Sequence, residues 1–347
     1  LAEGRVKSGF FKEFVAFGRE HKVELHDPKA LEAFTSHIAE EVETAIASDA
    51  RLHGHRTQNM FEALIVSLGR YKILKVEDAG IVHSKEPIRV PDFLVVLEDG
   101  RRWAVEVKNV FEKEPSHQET SFKSSYVDEL RSYSEGIGYE LKLAIYWARW
   151  ATWTLISAET LRAAGDRLAT NMFEALNVNE IGALGDATVG TVPPLRLRLY
   201  ADPSKPRRLI DTETALITIA TSEITCGRNI INNETDRSIA WLFMEYGEWK
   251  LSGPHPIMSG DLVDALEYVW NPIEMQNVGF EVIGSLSRMF AGYFASETLR
   301  GGVRIDAKAV PEWFRPLVDY GSHKDRQLPI WKFVLKPKSS GMSHGLT

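Results

Sequence analysis

The sequence predicts an α/β protein in which, from about Gln58, a helix is followed by three strands, a second helix and two more strands, with helices before this run and a mixed α+β region after it. Three observations predict it: apolar residues recurring every three or four positions in two early stretches, an Asp99-Gly100 turn between two strand-like runs, and a return to helical spacing before two further strand-like runs.

Asp27 before Pro28 supplies an N-cap and a first-turn proline, and Leu31, Phe34, Ile38, Val42 and Ile46 form one apolar stripe to about Ser48. Met60, Phe61, Leu64, Ile65 and Leu68 form a second stripe, closed by Gly69, and the period shortens from Tyr71. Residues 88–98 and 103–110 flank Asp99-Gly100, a pair suited to a hairpin because both residues tolerate positive φ. Tyr126, Leu130 and Tyr133 make the next stripe, ended by Gly136 and Gly138, and 141–150 and 152–157 read as strands. Gly182, Gly185 and Gly190 with Pro193, Pro194, Pro203 and Pro206 mark a connection. Beyond it, 215–225 reads as a strand, Leu262, Val263, Leu266 and Val269 as a helix stripe, Val282 to Tyr293 as another, and 331–335 as a final strand. Four regions result: a helical region at 1–50, the α/β run at 51–165, a linker or extended connection at 166–206, and an α+β domain at 207–347.

Composition narrows the class. Of 347 residues, 44 % are hydrophobic and 26 % charged, which excludes disordered and collagen-like chains. A net charge of −7 argues against a generally basic nucleic-acid coat, so any phosphate-binding patch must be regional. The single cysteine, Cys226, excludes an internal disulfide or a multi-thiolate metal site and points to a reducing, cytoplasmic compartment. No apolar run approaches the ~20 residues that cross a bilayer. The chain opens on Leu1 rather than Met, as expected of a trimmed chain or a fragment.

Candidate chemistry concentrates where Pro91-Asp92 is followed, across the hairpin signal, by Glu106-Val107-Lys108. Residues two apart on a strand share a face, so Glu106 and Lys108 point one way and Val105 and Val107 the other. The hairpin can set Asp92 opposite Glu106, so that two carboxylates and a lysine converge. This is the outline of a divalent-metal site for phosphodiester hydrolysis: Mg²⁺ favours one or two carboxylates with waters and phosphate oxygens, and a lysine can orient the attacking water or offset charge on phosphorus. Acidic-x-Lys triplets start at six positions, Glu20, Asp27, Glu106, Glu140, Glu248 and Asp306, but Pro-Asp occurs once, fourteen residues before Glu106. A site lysine of this kind is expected to contribute to the transition state and little to the core.

Pro91-Asp92 and Glu106-Val107-Lys108 on this order of elements resemble the PD-(D/E)xK nuclease superfamily, over residues ~55–160. The resemblance implies a restriction-endonuclease-like αβββαβ core with a mixed central sheet, of the resolvase-like branch, and a metal-dependent DNA endonuclease using Mg²⁺, with Mn²⁺ able to substitute. It implies that Asp92, Glu106 and the backbone carbonyl of Val107 hold the metal, and that Glu62 joins from the first helix. The branch carries a glutamine on the helix after the lysine; here Tyr126 stands instead. Restriction or phage defence, transposition and junction processing would all use such a core. DNA is the expected partner, with a homodimer or a protein partner in a larger defence or transposition complex as expected assemblies. The alternative is a non-catalytic nucleic-acid-binding or assembly module on the same fold.

Further candidates lie outside that motif. Arg56 precedes Glu62 by less than two helical turns and is placed for a phosphate. Residues 195–210 carry Arg196, Arg198, Lys205, Arg207 and Arg208 against Asp202, and residues 282–347 carry ten basic against five acidic residues, so DNA contact should lean on the C-terminal part, through Arg196, Arg198, Arg207 and Arg208 in particular. His53 and His55 are read as loop histidines near the Glu62 helix, and Tyr146, Trp147, Trp150 and Trp153 as sheet aromatics or base-stacking surfaces. Asn233-Glu234-Thr235 matches a glycosylation acceptor, without meaning in a cytosolic chain.

Overall fold

The computed structural model describes residues 9–24, 26–77, 82–211, 214–275, 279–299, 314–320 and 326–337. The chain divides into two units, 1–55 and 56–347. The first unit holds helices α1 (Phe10–Glu20) and α2 (Pro28–Ile46) and the opening of α3 (Asp49–Leu68). The Asp27 carboxylate accepts the Lys29 N–H at 2.9 Å, satisfying one of the unpaired donors at the start of α2 as its sequence requires. Phe34 of α2 packs against Phe14 and Phe17 of α1, at ring-centre distances of 5.3 and 5.4 Å.

The second unit begins with the rest of α3 and continues through β1 (Tyr71–Val76), β2 (Phe93–Leu97), β3 (Arg102–Val110), β4 (Glu119–Lys123), α4 (Ser124–Gly136), β5 (Glu140–Trp147) and β6 (Thr152–Ser157). Five of these strands form a mixed sheet in the order β1-β2-β3-β5-β6; β3 and β5 are parallel and the other neighbours antiparallel. A parallel pair needs a crossover, and α4 lies within it. The β2–β3 connection turns at Gly100, whose φ of +92° is open to glycine at little cost. Met60, Phe61, Leu64, Ile65 and Leu68 of α3 are buried with Phe93, Val95, Val105, Val107, Tyr146 and Trp153. Val127 and Leu130 of α4 are buried with the alternate residues Leu143, Ile145 and Trp147. The sheet is therefore covered on both faces, and the period-2 alternation of β3 and β5 sorts their residues between two cores.

After β6 come β7 (Arg162–Ala164), β8 (Arg167–Asn171), α5 (Met172–Asn177), β9 (Thr188–Thr191), β10 (Leu195–Ala201), β11 (Arg208–Leu209), β12 (Ala215–Leu216), β13 (Ile219–Cys226), β14 (Asn229–Ile231), α6 (Glu234–Tyr246), β15 (Trp249–Ser259), β16 (Leu262–Pro272), β17 (Glu281–Ser285), α7 (Leu286–Thr298), α8 (Arg315–Val318) and β18 (Ile330–Phe333). They build a three-stranded sheet β4-β8-β7, another β17-β9-β18, and a seven-stranded sheet in which β15 adds to β16 of the order β12-β11-β16-β10-β13-β14. Residues 166–206, expected as a connection, thus hold strands of all three sheets and a helix. The expected helix at Leu262–Val269 is strand β16: it pairs with β10 on one side and β15 on the other, and partial burial of both faces hides the period of two. The stripe from Val282 begins as β17, and Ser285 then caps α7 by accepting the Arg288 N–H at 3.2 Å. Among the described residues no helix is long and apolar enough to cross a membrane.

Candidate active site

Phe93 pairs with Val105 at the end of β2, and one more step of that register sets Asp92 across from Glu106. Beyond the last β2 pair, Asp92 takes over the ladder with its side chain: Oδ2 accepts the Val107 backbone N–H at 2.7 Å. Because a strand residue turns its N–H and C=O to the same side, the Val107 carbonyl faces the Asp92 side of β3 as well. Gln58 of α3 donates from Nε2 to Asp92 Oδ1 at 2.7 Å, tying the carboxylate to the first helix.

Glu106 and Lys108 project toward α4. Lys108 Nζ lies 2.6 Å from Glu106 Oε1 and donates to the Tyr126 hydroxyl at 2.7 Å, and the same hydroxyl donates to Glu106 Oε1. Tyr126 stands in the first turn of α4 and closes a three-way cluster where the resemblance leads one to expect glutamine. Lys108 Nζ is 4.9 Å from the ring centre, but it reaches the ring through the hydroxyl, so hydrogen bonding governs that contact.

The electrostatics follow from this packing. Burial, and then the charge of Glu106, push the Asp92 carboxyl up to about 6, against lowering contributions from the Val107 N–H, Lys108 and Gln58. Burial by itself would lower the Lys108 ammonium, yet the Glu106 charge and the bonds to Glu106 and Tyr126 outweigh it and raise the group above its ordinary value. Lys108 is thus held as a cation, suited to orienting a water or offsetting negative charge and unsuited to accepting a proton. Burial, followed by the neighbouring Glu106 charge, pushes the Tyr126 phenol up to about 12.

The Asp92 carboxyl, raised in part by the Glu106 charge, is relieved by a cation between the two, and their donor chemistry suits Mg²⁺. Among the described residues no group of three or more His, Cys, Asp or Glu side chains could hold an ion, so an all-protein cage is absent from them. Two carboxylates and the Val107 carbonyl, completed by water and substrate oxygens, match the sparse protein ligation that Mg²⁺ accepts. The carboxylate of Asp92 keeps lone pairs beyond its two hydrogen bonds.

The remaining sequence-selected residues divide sharply. Gln58, rather than Glu62, reaches Asp92; Glu62 lies one turn further along α3, half-buried, and the i, i+4 spacing was the signal that could have identified Gln58. Arg56 does not present a guanidinium to a surface phosphate: it is 5 % exposed, with Nε donating to Thr298 Oγ1 at 2.8 Å and its charge 5.4 Å from the Phe294 ring centre. Arg198 Nε bonds Glu267 Oε1 at 2.7 Å, with Glu223 at 3.9 Å; Arg196 lies 4.0 Å from Glu267; and Arg207 pairs with Asp264. Cross-strand carboxylates therefore offset three arginines of the expected basic patch, and Arg208 alone of the four stays exposed without such a pair among the described residues. Tyr146, Trp147 and Trp153 are buried core, whereas Trp150 is partly exposed and donates to Pro115 O at 3.1 Å. His53 and His55 lie on α3 rather than in a loop. The triplet beginning at Glu140 makes a structural ion pair: Lys142, buried on β5, lies 2.6 Å from both Glu140 and Glu180.

No protein-family model matches the chain, and no curated protein matches it. Among solved structures, it is similar to Hjc of Archaeoglobus fulgidus, a Holliday junction resolvase from an archaeal hyperthermophile, at 21 % identity and a TM-score of 0.29, covering 36 % of this chain and 98 % of that chain.

Proposed function

We propose that this chain is a metal-dependent DNA endonuclease that hydrolyses phosphodiester bonds, with Asp92, Glu106 and the Val107 carbonyl holding Mg²⁺ or Mn²⁺. The observation that carries the reading is the Asp92–Val107 hydrogen bond, which fixes one carboxylate against the strand bearing the other and places both beside a permanently charged lysine. The metal, when bound, lowers the pKa of a coordinated water and offsets charge on the phosphoryl oxygens. Gln58 holds Asp92 in place, Lys108 supports the charge that builds on phosphorus, and Tyr126 keeps the ammonium aimed. Glu62 serves as a supporting carboxylate on the same helix. Substrate choice, whether in restriction, phage defence, transposition or junction processing, belongs to elements outside this core.

One observation favours a second reading. Lys108 and Tyr126 both already engage Glu106 Oε1, and a permanently closed cluster of that kind suits a non-catalytic nucleic-acid-binding or assembly module. Incubation of the purified chain with supercoiled, linear, single-stranded and branched DNA, in Mg²⁺, Mn²⁺ or EDTA, separates the two. The endonuclease cuts at least one substrate only with metal; the module cuts none.

A further inference from the structure

Arg89 lies three residues before Asp92, on the run that enters β2. Its guanidinium carbon stands 4.8 Å from the centre of the Tyr126 ring. Its Nε donates to Glu129 Oε2 at 3.2 Å and its backbone N–H to the Glu129 carbonyl at 3.1 Å. Tyr126 and Glu129 are three apart on α4, so both ties hold Arg89 against the same helix face. The side chain is nonetheless 50 % exposed. A guanidinium carries five N–H donors in a planar fork, and the Glu129 bond uses the Nε donor, leaving the terminal edge for a second anion.

The Tyr126 ring joins this cation to the candidate active site. Arg89 at 4.8 Å and Lys108 at 4.9 Å from one ring centre are at most about 10 Å apart, close enough to meet phosphates near each other on one strand. We infer that Arg89 is a substrate-contacting residue: its free guanidinium edge takes a backbone phosphate of the DNA strand whose neighbouring phosphodiester lies at Asp92, Glu106 and Lys108, and Tyr126 fixes the spacing between the two cations. This deepens the endonuclease reading and rests on it. Of the arginines singled out in the sequence, Arg56 is buried, Arg196, Arg198 and Arg207 are offset by carboxylates across their sheet, and Arg208 is exposed on β11, which belongs to the seven-stranded sheet and not to the one that carries Glu106 and Lys108. Glu129 occupies part of the same guanidinium and repels phosphate, so it acts as a competitor of the strand.

The test is binding of the full chain to labelled duplex and four-way-junction DNA in EDTA, across a salt series, with thermal melting of every variant. Arg89→Ala should bind about tenfold more weakly at low salt and lower the salt slope by about one phosphate contact. Arg89→Lys should fall between, since it keeps the charge and loses the fork. Glu129→Gln should bind more tightly than wild type, an outcome that a purely structural Arg89–Glu129 tie does not produce. Arg89→Ala within about twofold of wild type at every salt concentration overturns the inference, as does a wild type that binds no DNA. If Arg89→Ala melts as an unfolded chain, the Glu129→Gln arm decides, and unchanged or weaker binding there overturns it. Cleavage in Mg²⁺ is scored separately: binding that depends on Arg89 without any cleavage removes the endonuclease reading and keeps the DNA contact.

Discussion

The Asp92 carboxylate accepts the Val107 backbone N–H at 2.7 Å, one residue from Glu106 and one from Lys108. The position of the first carboxylate is thereby set by the strand that carries the other two groups. Its cost is electrostatic crowding, visible in the raised Asp92 carboxyl.

Asp92→Asn removes that crowding together with one hydrogen bond. A shift of about two pKa units is worth ~2.7 kcal/mol and outweighs a net hydrogen bond of ~1 kcal/mol, so the variant should be more stable without metal by about 2 kcal/mol, a rise in Tm of about 3 °C. It should also lose stabilisation by Mg²⁺. Differential scanning calorimetry with and without Mg²⁺ checks both; a large fall in Tm would show that the hydrogen bonds dominate.

The same group makes stability depend on pH. Asp92 titrates near 6 in the folded chain against 3.8 for the unfolded residue, so between these values the folded state holds more protons. Its contribution to stability therefore falls as pH rises from about 4 to about 6, and is flat above. Asp92→Asn should erase this component in urea titrations at successive pH values, and Mg²⁺ affinity should weaken below about pH 6 as protons compete for the carboxylate.

Lys108→Ala should abolish cleavage, but it should not leave stability untouched. Lys108 is the counter-ion of Glu106, whose side chain is only 7 % exposed, and removal leaves a buried carboxylate unpaired. A loss of about 2 kcal/mol is expected, discounted from a fully buried pair because Lys108 is itself 31 % exposed. Mg²⁺ should then raise the Tm of the variant more than that of wild type, by supplying the missing positive charge. Equal Mg²⁺ shifts in the two proteins would contradict the shared site.

Gln58→Ala should lower metal affinity several-fold by loosening the Asp92 carboxylate, while Glu62→Ala should have the smaller effect, since of these two side chains it is Gln58 that bonds Asp92. Isothermal titration with Mn²⁺ compares them; a larger loss in Glu62→Ala would restore the glutamate to the site.

The legible parts of this molecule are local ones. Asp92, Glu106 and Lys108 could be brought together from sequence because a single hairpin relates them, and Gly100 and the strand alternation fix its geometry. The succession of helices and strands through α4 and β5 was legible for the same reason, since each element signals its own period, except for the short β4, which pairs with β8 far along the chain. What was hidden depends on distant pairing. Gln58 meets Asp92 across 34 positions, and Arg198 meets Glu267 across 69, so a charge count confined to 195–210 saw arginines without the carboxylates that face them. Strand β16 hid its period because neighbours flank it on both sides.

A divalent cation is expected where Asp92, just before β2, meets Glu106 on β3. Isothermal titration of Mn²⁺ into the wild-type chain and into an Asp92→Asn, Glu106→Gln double variant, at pH 7.5 and with melting curves to verify folding, tests it most directly. Saturable binding by wild type and its loss in the folded double variant is the predicted result; equal binding by both proteins, or none by either, contradicts the account.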